Sequence, residues 1–313
     1  MSMPVNGNLT VSVSPHLTDR VTTRGIMLDV IIALSPAFIA SVLIFGLRAA
    51  LVACVCVAAA VASEWAYLKA MKKPDATGDL TVVVTGMLLA FNLPVSIPLW
   101  QAVFGSAVSI ILVKQLFGGL GKNFANPAIT GRIIMFLAFS VTMTTWPPPV
   151  LAPDAVTTAT PLMLIAKGHA DKLPPLWDMA LGIHGGCLGE TSALALLAGG
   201  VYLIARRVIT WHTPVVYIAT VFAFSAALGQ DPLYQILSGG LFLGAIFMAT
   251  DYVTTPPTMW GKVLFGAGAG FFTVVIRVYG AYPEGVSFAI LLMNILTPYI
   301  NKLTLNRAFG RAG

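Results

Sequence analysis

The chain has 313 residues, of which 57% are hydrophobic and only 10% are charged, whereas soluble domains average about 25% charged residues. This imbalance excludes an ordinary soluble domain and favours a membrane protein. The net charge of +6 is explained by membrane topology, since basic residues collect on one side of the predicted spans, and it gives no reason to expect nucleic-acid binding.

Apolar runs close to the roughly 20 residues that cross about 30 Å of hydrocarbon predict an all-α polytopic membrane protein with about ten transmembrane helices. The third run is short and contains Pro94 and Pro98, so we expect it to be broken or to span half of the membrane. No small-residue cleavage site follows the first run, and a removable signal peptide is not expected. The runs lie near residues 26–46, 49–68, 80–97, 99–116, 128–146, 187–205, 213–230, 233–250, 262–279 and 285–300.

The basic residues give the predicted orientation. With the N-terminus in the cytoplasm, most Lys and Arg residues lie on the inner side, Lys114 among them, and Arg277 is one of the few on the outer side. This positive-inside bias predicts that both termini are cytoplasmic. The chain then divides into an N-terminal arm, a first bundle half, an outer loop, a second bundle half and a C-terminal tail, which cover residues 1–25, 26–146, 147–186, 187–300 and 301–313.

Two short matches suggest internal repeats. The segment 98–101, PLWQ, resembles 232–235, PLYQ, and the segment 78–81, GDLT, resembles 189–192, GETS. The two matches require different offsets, so at most one of them marks a true repeat.

Three charged residues fall inside predicted spans or close to their ends. Such charges cost about 2.5–3.5 kcal/mol at the centre of a membrane helix and normally face a bundle interior. For Arg132 and Glu64 an alternative is that the side chain extends to the inner interface. Glu190 is the stronger functional candidate, because small and polar residues surround it at a predicted helix start.

Two segments on the inner side combine polar residues with glycine or threonine. The first, 116–132, reads LFGGLGKNFANPAITGR, and Pro127 at a first helical position is expected to leave amide donors directed outward. This pattern suits an anion or a planar cofactor, and a tightly packed turn explains it equally well. The second, 247–258, reads FMATDYVTTPPT and places Asp251 at an inner membrane edge.

Cysteine and histidine spacing predicts no metal site. Cys54 and Cys56 lie two residues apart in an apolar run, which puts them on different faces of a helix, and Cys187 is distant. The four histidines show no metal-site spacing. No residue is assigned a catalytic role.

The segment 154–162, DAVTTATPL, allows three interpretations. It can form a polar turn, because Asp and Thr favour local backbone hydrogen bonds. It can start a helix, with Thr160 as N-cap, Pro161 at the first helical position and Gly168 as the stop. It can also be a modification site, because a phosphate esterified to the N-cap hydroxyl would lie at the positive end of that helix.

The same nine residues resemble the signature recognised by the bacterial flavin transferase: Asp, a small residue, any residue, Ser or Thr, a small residue, then Ala-Thr. Thr158 departs from it, since Gly, Ser or Ala is preferred there. With GGLGKNFANPAITGR, GETSALALLAGGVYL and GAIFMATDYVTTP, the chain is similar over nearly its whole length to one family. That family contains the D subunits of the Rnf complex and the B subunits of the sodium-translocating NADH:quinone oxidoreductase.

The resemblance implies FMN bound to Thr160 through a phosphoester, within a signature that includes Asp154, Thr157 and Thr158. It also implies a second, non-covalent flavin (riboflavin or FMN) in the helix bundle. Candidate residues for the flavin or the ion path are Gly118, Gly119, Lys122, Asn123, Asn126, Glu190 and Asp251.

The implied function is electron relay, coupled to Na⁺ or H⁺ transport, in a ferredoxin:NAD⁺ oxidoreductase complex of the bacterial inner membrane, with the flavin-attachment loop periplasmic. Implied partners are another flavin-carrying subunit, iron–sulfur subunits, membrane lipids and the flavin transferase. The chain is not expected to be active alone. An alternative from another class is a secondary transporter or channel for a small solute, with broken helices and intramembrane carboxylates.

Overall fold

The computed structural model describes residues 22–74, 77–150, 160–168, 173–189, 192–280 and 284–305, and these residues form helices and their connections. The predicted all-α fold is confirmed. In the first half, α4 continues without interruption into a π-helical segment, Ser109–Gln115. The helices of this half are α1 (Thr23–Phe45), α2 (Leu47–Ala70), α3 (Thr81–Phe91), α4 (Leu99–Val108), α5 (Pro127–Ala138) and α6 (Ser140–Met143).

Two short helices follow in the region predicted as an outer loop, α7 (Pro161–Ala166) and α8 (Leu176–Leu181). In the second half, α12 continues into a π-helical segment, Gly244–Met248. The helices of this half are α9 (Ala193–Ala205), α10 (His212–Ala227), α11 (Pro232–Leu237), α12 (Leu241–Leu243), α13 (Met259–Tyr279) and α14 (Gly285–Thr304).

Helix length separates full membrane spans from partial ones. Within the described residues, four helices are long and apolar enough to cross a membrane, namely α1, α2, α13 and α14. Five further apolar helices are shorter, with between 11 and 17 residues each: Thr81–Phe91, Leu99–Gln115, Pro127–Ala138, Ala193–Ala205 and His212–Ala227. The chain is therefore a multi-pass membrane protein in which several predicted spans are only partly helical.

The breaks have local causes. The third predicted run is helical only to Phe91, because Pro94 and Pro98 supply no amide hydrogen for a continuing helix. The run at 233–250 is interrupted between α11 and α12, where Gly239 and Gly240 adopt φ values of 64° and 66°. Such positive values favour glycine. The prediction of a broken third span is confirmed.

Carbonyl groups freed at these breaks are satisfied inside the protein, as hydrocarbon requires. Arg48 donates hydrogen bonds to the carbonyl oxygens of Val95 and Ile97, at 3.0 and 3.2 Å. In the second half, Arg277 donates to the carbonyl oxygens of Gln235 and Ser238. Arg277, predicted as an outer-side residue, is thus buried in the bundle.

The segment before α9 turns back into the bundle. The amides of Leu188 and Gly189 donate to the carbonyl oxygens of Leu93 and Phe91, at 3.0 and 2.9 Å. A Cβ atom on Gly189 would lie 2.1 Å from the Phe91 ring, so only glycine allows this approach. Among the described residues of the predicted span 187–205, helix is therefore confined to α9.

The two halves meet through α1 against α9 and through α5 against α14. At the α1–α9 contact, Asp29 accepts hydrogen bonds from Tyr202 and Arg206. Each of the matched segments PLWQ and PLYQ lies at the start of a helical stretch that leads into a π-helical segment, Ser109–Gln115 after the first and Gly244–Met248 after the second, although the second stretch is interrupted between α11 and α12. The internal repeat stays a prediction.

Candidate functional site

Thr160 is the N-cap of α7, as one interpretation of the sequence predicts. Its Oγ1 accepts a hydrogen bond from the amide of Met163 at 3.3 Å, and Pro161 occupies the first helical position. Gly168, with φ 73°, follows the end of the helix. The other residues of the attachment signature, Asp154, Thr157 and Thr158, lie outside the described residues, as does Glu190.

Helix α7 packs at one end of the bundle. A Cβ atom on Gly239 would lie 2.3 Å from Cδ1 of Leu162 and 2.8 Å from Nη2 of Arg277, so these two side chains meet over that glycine. Arg277 belongs to the last turn of α13. Thr160 therefore lies near the C-terminal end of α13.

A cavity of about 120 Å³ lies at the other end of the bundle, between the two halves. By the space that single waters need, it has room for roughly eight to twelve of them. Its walls come from the N-terminal turns of α1 and α3, the C-terminal end of α9, the loop before α5 and residues 247–253. Apolar wall residues include Val84, Leu88, Leu203, Ile209 and Phe247.

Three of the predicted site residues, Asn123, Asn126 and Asp251, line this cavity although two different segments supply them. Gly118 and Gly119 lie in the same loop as Asn123, with φ values of 112° and 92°, but outside the cavity wall. The glycines here shape a turn.

The same loop departs from the prediction in two further ways. Lys122 folds back over Gly118, where an added Cβ atom would lie 2.7 Å from the Lys122 Cδ. Asn126 caps α5, and its Oδ1 accepts from the amides of Ala128 and Ile129, at 3.0 and 3.3 Å. The expectation of outward amide donors is thus wrong for these two amides, because the preceding asparagine satisfies them.

Asp251 is held by the chain that follows it. Its Oδ1 accepts from the amide of Val253 at 3.3 Å, and its Oδ2 accepts from the hydroxyl of Thr254 at 3.0 Å. Burial raises the pKa of Asp251, and these two hydrogen bonds oppose that rise without cancelling it. The carboxyl group is therefore less readily ionised than a surface aspartate.

Lys114 also lines the cavity, a position that the sequence prediction missed. Its ammonium group forms an ion pair with Oε1 of Glu64 at 2.8 Å, and the two side chains are 4% and 2% exposed. Lys114 also donates to the hydroxyl of Thr81 at 2.8 Å. Neither charge is exposed, so the alternative in which Glu64 extends to the inner interface is wrong. The available signal was that Lys114 lies in a mostly apolar stretch, IILVKQLF.

Arg132 is buried and connects the two halves. It donates to Asn92 and to Ser287, each at 2.9 Å, and forms an ion pair with Glu284. Its guanidinium group also contacts the sulfur of Cys187 at 3.5 Å. The alternative in which Arg132 extends to the inner interface is therefore wrong.

Comparison with known proteins shows one family over almost the whole chain. The model of the NQR2, RnfD, RnfE family matches residues 10–310. The chain belongs to this family. The match covers both halves of the bundle, the loop with Thr160 and the walls of the inner cavity.

Relatives within the NQR2, RnfD, RnfE family cover almost the whole chain. The D subunit of the Na⁺-translocating ferredoxin:NAD⁺ oxidoreductase complex of Acetobacterium woodii is 47% identical over 97% of this chain and 96% of the relative. The D subunit of the proton-translocating ferredoxin:NAD⁺ oxidoreductase complex of Clostridium ljungdahlii is 41% identical over 96% of each chain. The D subunit of the ion-translocating oxidoreductase complex of Ectopseudomonas mendocina is 36% identical over 95% of this chain and 94% of the relative.

Proposed function

We propose that this chain is the flavin-carrying membrane subunit of an ion-translocating ferredoxin:NAD⁺ oxidoreductase complex. FMN is esterified to Thr160 on the periplasmic side of the inner membrane, and a second, non-covalent flavin occupies the inner cavity. The proposal is supported by the family and by relatives that are subunits of such complexes. The observation that carries it is the coincidence of the last threonine of the attachment signature with the N-cap of α7.

The geometry at Thr160 suits a phosphoester. The amides of the first helical turn and the helix dipole favour negative charge at this end. The amide of Met163 already donates to the Thr160 oxygen, and a phosphate on that oxygen offers further acceptors to the same turn. A covalent bond also keeps the cofactor at a fixed local concentration on an aqueous face, where a free flavin would be lost by diffusion.

The inner cavity suits a flavin ring. It is mainly apolar, with a few polar groups among its wall residues, the usual composition of a cofactor site. Asn123, Asp251, Thr85 and Lys114 offer donors and acceptors for a ring edge that carries both. A flavin bound there supplies one- and two-electron transfer, while the chain positions the ring and tunes its surroundings.

The placement of the two sites supports a role in electron relay within a complex. Helix α13 runs from Met259 at the cavity end to Arg277 near α7. Over this stretch the helix spans about 27 Å, at about 1.5 Å per residue. The two flavins would then lie on opposite sides of the membrane. We infer that other flavin-carrying and iron–sulfur subunits accept and supply the electrons, and that ion movement is coupled to their transfer.

The attachment site is tested by replacing Thr160 with Ala. The variant should lose the flavin fluorescence that the parent keeps on a denaturing gel, and its intact mass should equal the sequence mass. The parent should be heavier by one FMN minus one water. Unchanged fluorescence in Thr160→Ala would contradict the assignment of covalent FMN to Thr160.

Thr258→Ala is the matched control. Thr258 is also an N-cap, whose hydroxyl accepts from the amide of Gly261 at 3.1 Å, so both variants lose a cap worth about 0.5–2 kcal/mol. Only Thr160→Ala should lose the flavin. A parent protein that is unmodified, colourless and active alone in liposomes would instead favour a solute transporter.

A further inference from the structure

The Glu64–Lys114 pair is an unusual arrangement beside a cofactor cavity. Glu64 is on α2, Lys114 is in the π-helical segment after α4, and both are almost fully buried. An ammonium group has three N–H donors. In the described part of the chain two of them are accounted for, by Glu64 Oε1 and by Thr81 Oγ1. The remaining donor belongs to a residue that lines the cavity.

Glu64 is incompletely satisfied. Its Oε1 accepts from Lys114 and from the amide group of Gln115. Its Oε2 is buried and accepts no hydrogen bond from the described residues. A buried carboxylate with one oxygen lacking a hydrogen bond is stabilised mainly by its one cation, here Lys114. Without that cation the buried charge is costly and is normally neutralised.

A hydrogen-bonded chain joins this pair to the edge of the membrane. The Thr81 hydroxyl accepts from Lys114 at 2.8 Å and donates to Oδ1 of Asp79 at 2.6 Å. Asp79 is partly exposed, in the short turn before α3. Among the described residues of the elements packed around Glu64, the charged groups on its side are Lys114 and, two hydrogen bonds further through Thr81, Asp79.

We propose that Glu64 and Lys114 form a redox-linked proton site. When one electron enters the inner cavity, the Lys114 ammonium turns towards the new negative charge, and Glu64, left without its cation, takes up one proton from the inner aqueous side. This inference rests on the proposed flavin in the cavity. In this role the pair would keep the net charge of the site at zero during electron transfer.

Charge and protons balance in this step. Before reduction, Glu64 carries −1 and Lys114 carries +1, and the cavity ligand is taken as neutral. After one electron arrives from an iron–sulfur or flavin carrier of the complex, the ligand carries −1, Lys114 keeps its proton and its +1 charge, and Glu64 is neutral. The sum stays zero. When the electron leaves to the next carrier, Lys114 returns to Glu64 and the proton is released.

The test is infrared difference spectroscopy on the purified, flavin-loaded complex, reduced with dithionite. We expect the C=O band of a protonated carboxyl group to appear on reduction and to shift in D₂O. Glu64→Gln should lose this band. Lys114→Met should also lose it from the difference spectrum, because Glu64 is then protonated before and after reduction.

Controls separate this role from a structural one. Asp29→Asn removes the carboxylate of a half-exposed ion pair with Arg206 at the α1–α9 contact, and it should keep the band. Should Glu64→Gln fail to assemble, Glu64→Asp retains a carboxyl group and should move the band. A band that persists unchanged in Glu64→Gln or Glu64→Asp would overturn the proposal.

Failure of this inference is distinguishable from failure of the proposed function. If the parent flavin absorbance bleaches on reduction and no carboxyl band appears, the proton site is wrong and the flavin assignment stands. If Thr160→Ala protein, which lacks covalent FMN, releases no flavin on denaturation, the cavity assignment fails and the proton site fails with it.

Discussion

The Thr160 hydroxyl has one structural property and one proposed chemical property. It caps a helix, which fixes its position, and it lies in a segment that resembles a signature for covalent flavin attachment. The cap itself involves only residues 160–163 and is therefore a local property of the sequence. The proposed phosphoester would add negative charge at a helix end that favours it.

Asp251 gives a prediction about pH at the same scale. Burial raises its pKa in the folded protein, so its contribution to stability is fully present below the unfolded-state pKa and is lost as pH rises through the folded-state pKa. In flavin-free protein, Asp251→Asn should therefore melt at a higher temperature than the parent at pH 7. Below about pH 4, where an aspartate is protonated even in the unfolded chain, the two should melt alike.

The measurement is a thermal melt in detergent across this pH range. Asparagine can still accept from the amide of Val253 and can donate to the hydroxyl of Thr254, so the local hydrogen bonds are kept. If Asp251→Asn melted below the parent by the same number of degrees at both ends of the pH range, the expectation would be contradicted.

At the scale of elements, broken helices are what bring the site together. Because α3 ends at Phe91 and the chain after Met248 leaves its π-helical segment, non-helical backbone enters the bundle. Such backbone is tolerated in a membrane only where protein covers it or a cavity adjoins it. Residues 250–253 of this backbone line the inner cavity.

Contact between α1 and α9 depends on one glycine. A Cβ atom on Gly199 would lie 2.1 Å from the carbonyl oxygen of Ala33, and backbone cannot move aside as a side chain can. Gly199→Ala should lower the free energy of unfolding by about 1–3 kcal/mol, the usual cost of overpacking. The melting temperature in detergent reports this loss.

Gly25→Ala provides the control for that substitution. Gly25 is exposed in the first turn of α1, and an added Cβ atom would meet only Thr22 Oγ1, at 3.4 Å. Alanine favours helix by up to about 1 kcal/mol relative to glycine, so this variant should be as stable as the parent or more so. If both variants lost the same free energy of unfolding, steric contact at Gly199 would not be the cause of the loss in Gly199→Ala.

Across the whole molecule, buried charges join the two halves. Arg132 on α5 pairs with Glu284 at the start of α14, 152 residues away in sequence. Arg132→Met leaves Glu284 without this partner and should lower the free energy of unfolding by about 3–5 kcal/mol. Adding Glu284→Gln should recover part of the loss, because it also removes the carboxylate that was paired with Arg132. Thermal melts of both variants measure this, and a double variant less stable than Arg132→Met would refute the explanation.

Part of the candidate site was predictable. The Pro161 helix start, the break after Phe91 and the different faces of Cys54 and Cys56, one exposed and one buried, follow from residues within a few positions of each other. Asn123, Asn126 and Asp251 were selected from the pattern and placement of two inner segments and from the family resemblance, and the fold places them around one cavity. That they share a cavity was not predictable, because two segments more than 120 residues apart must first pack together.

The sequence by itself determined the membrane location, the helical class, the interrupted spans and the position of Thr160, because apolar content, proline and N-cap chemistry act over short distances. Only the tertiary structure decided which charged side chains are buried and which partners they have. Lys114 belongs by sequence to the inner basic residues, yet it is buried beside Glu64 because α2 and α4 pack together. Whether a charge in a membrane segment reaches water or a partner depends on which helices lie next to it, and these contacts join residues far apart in the chain.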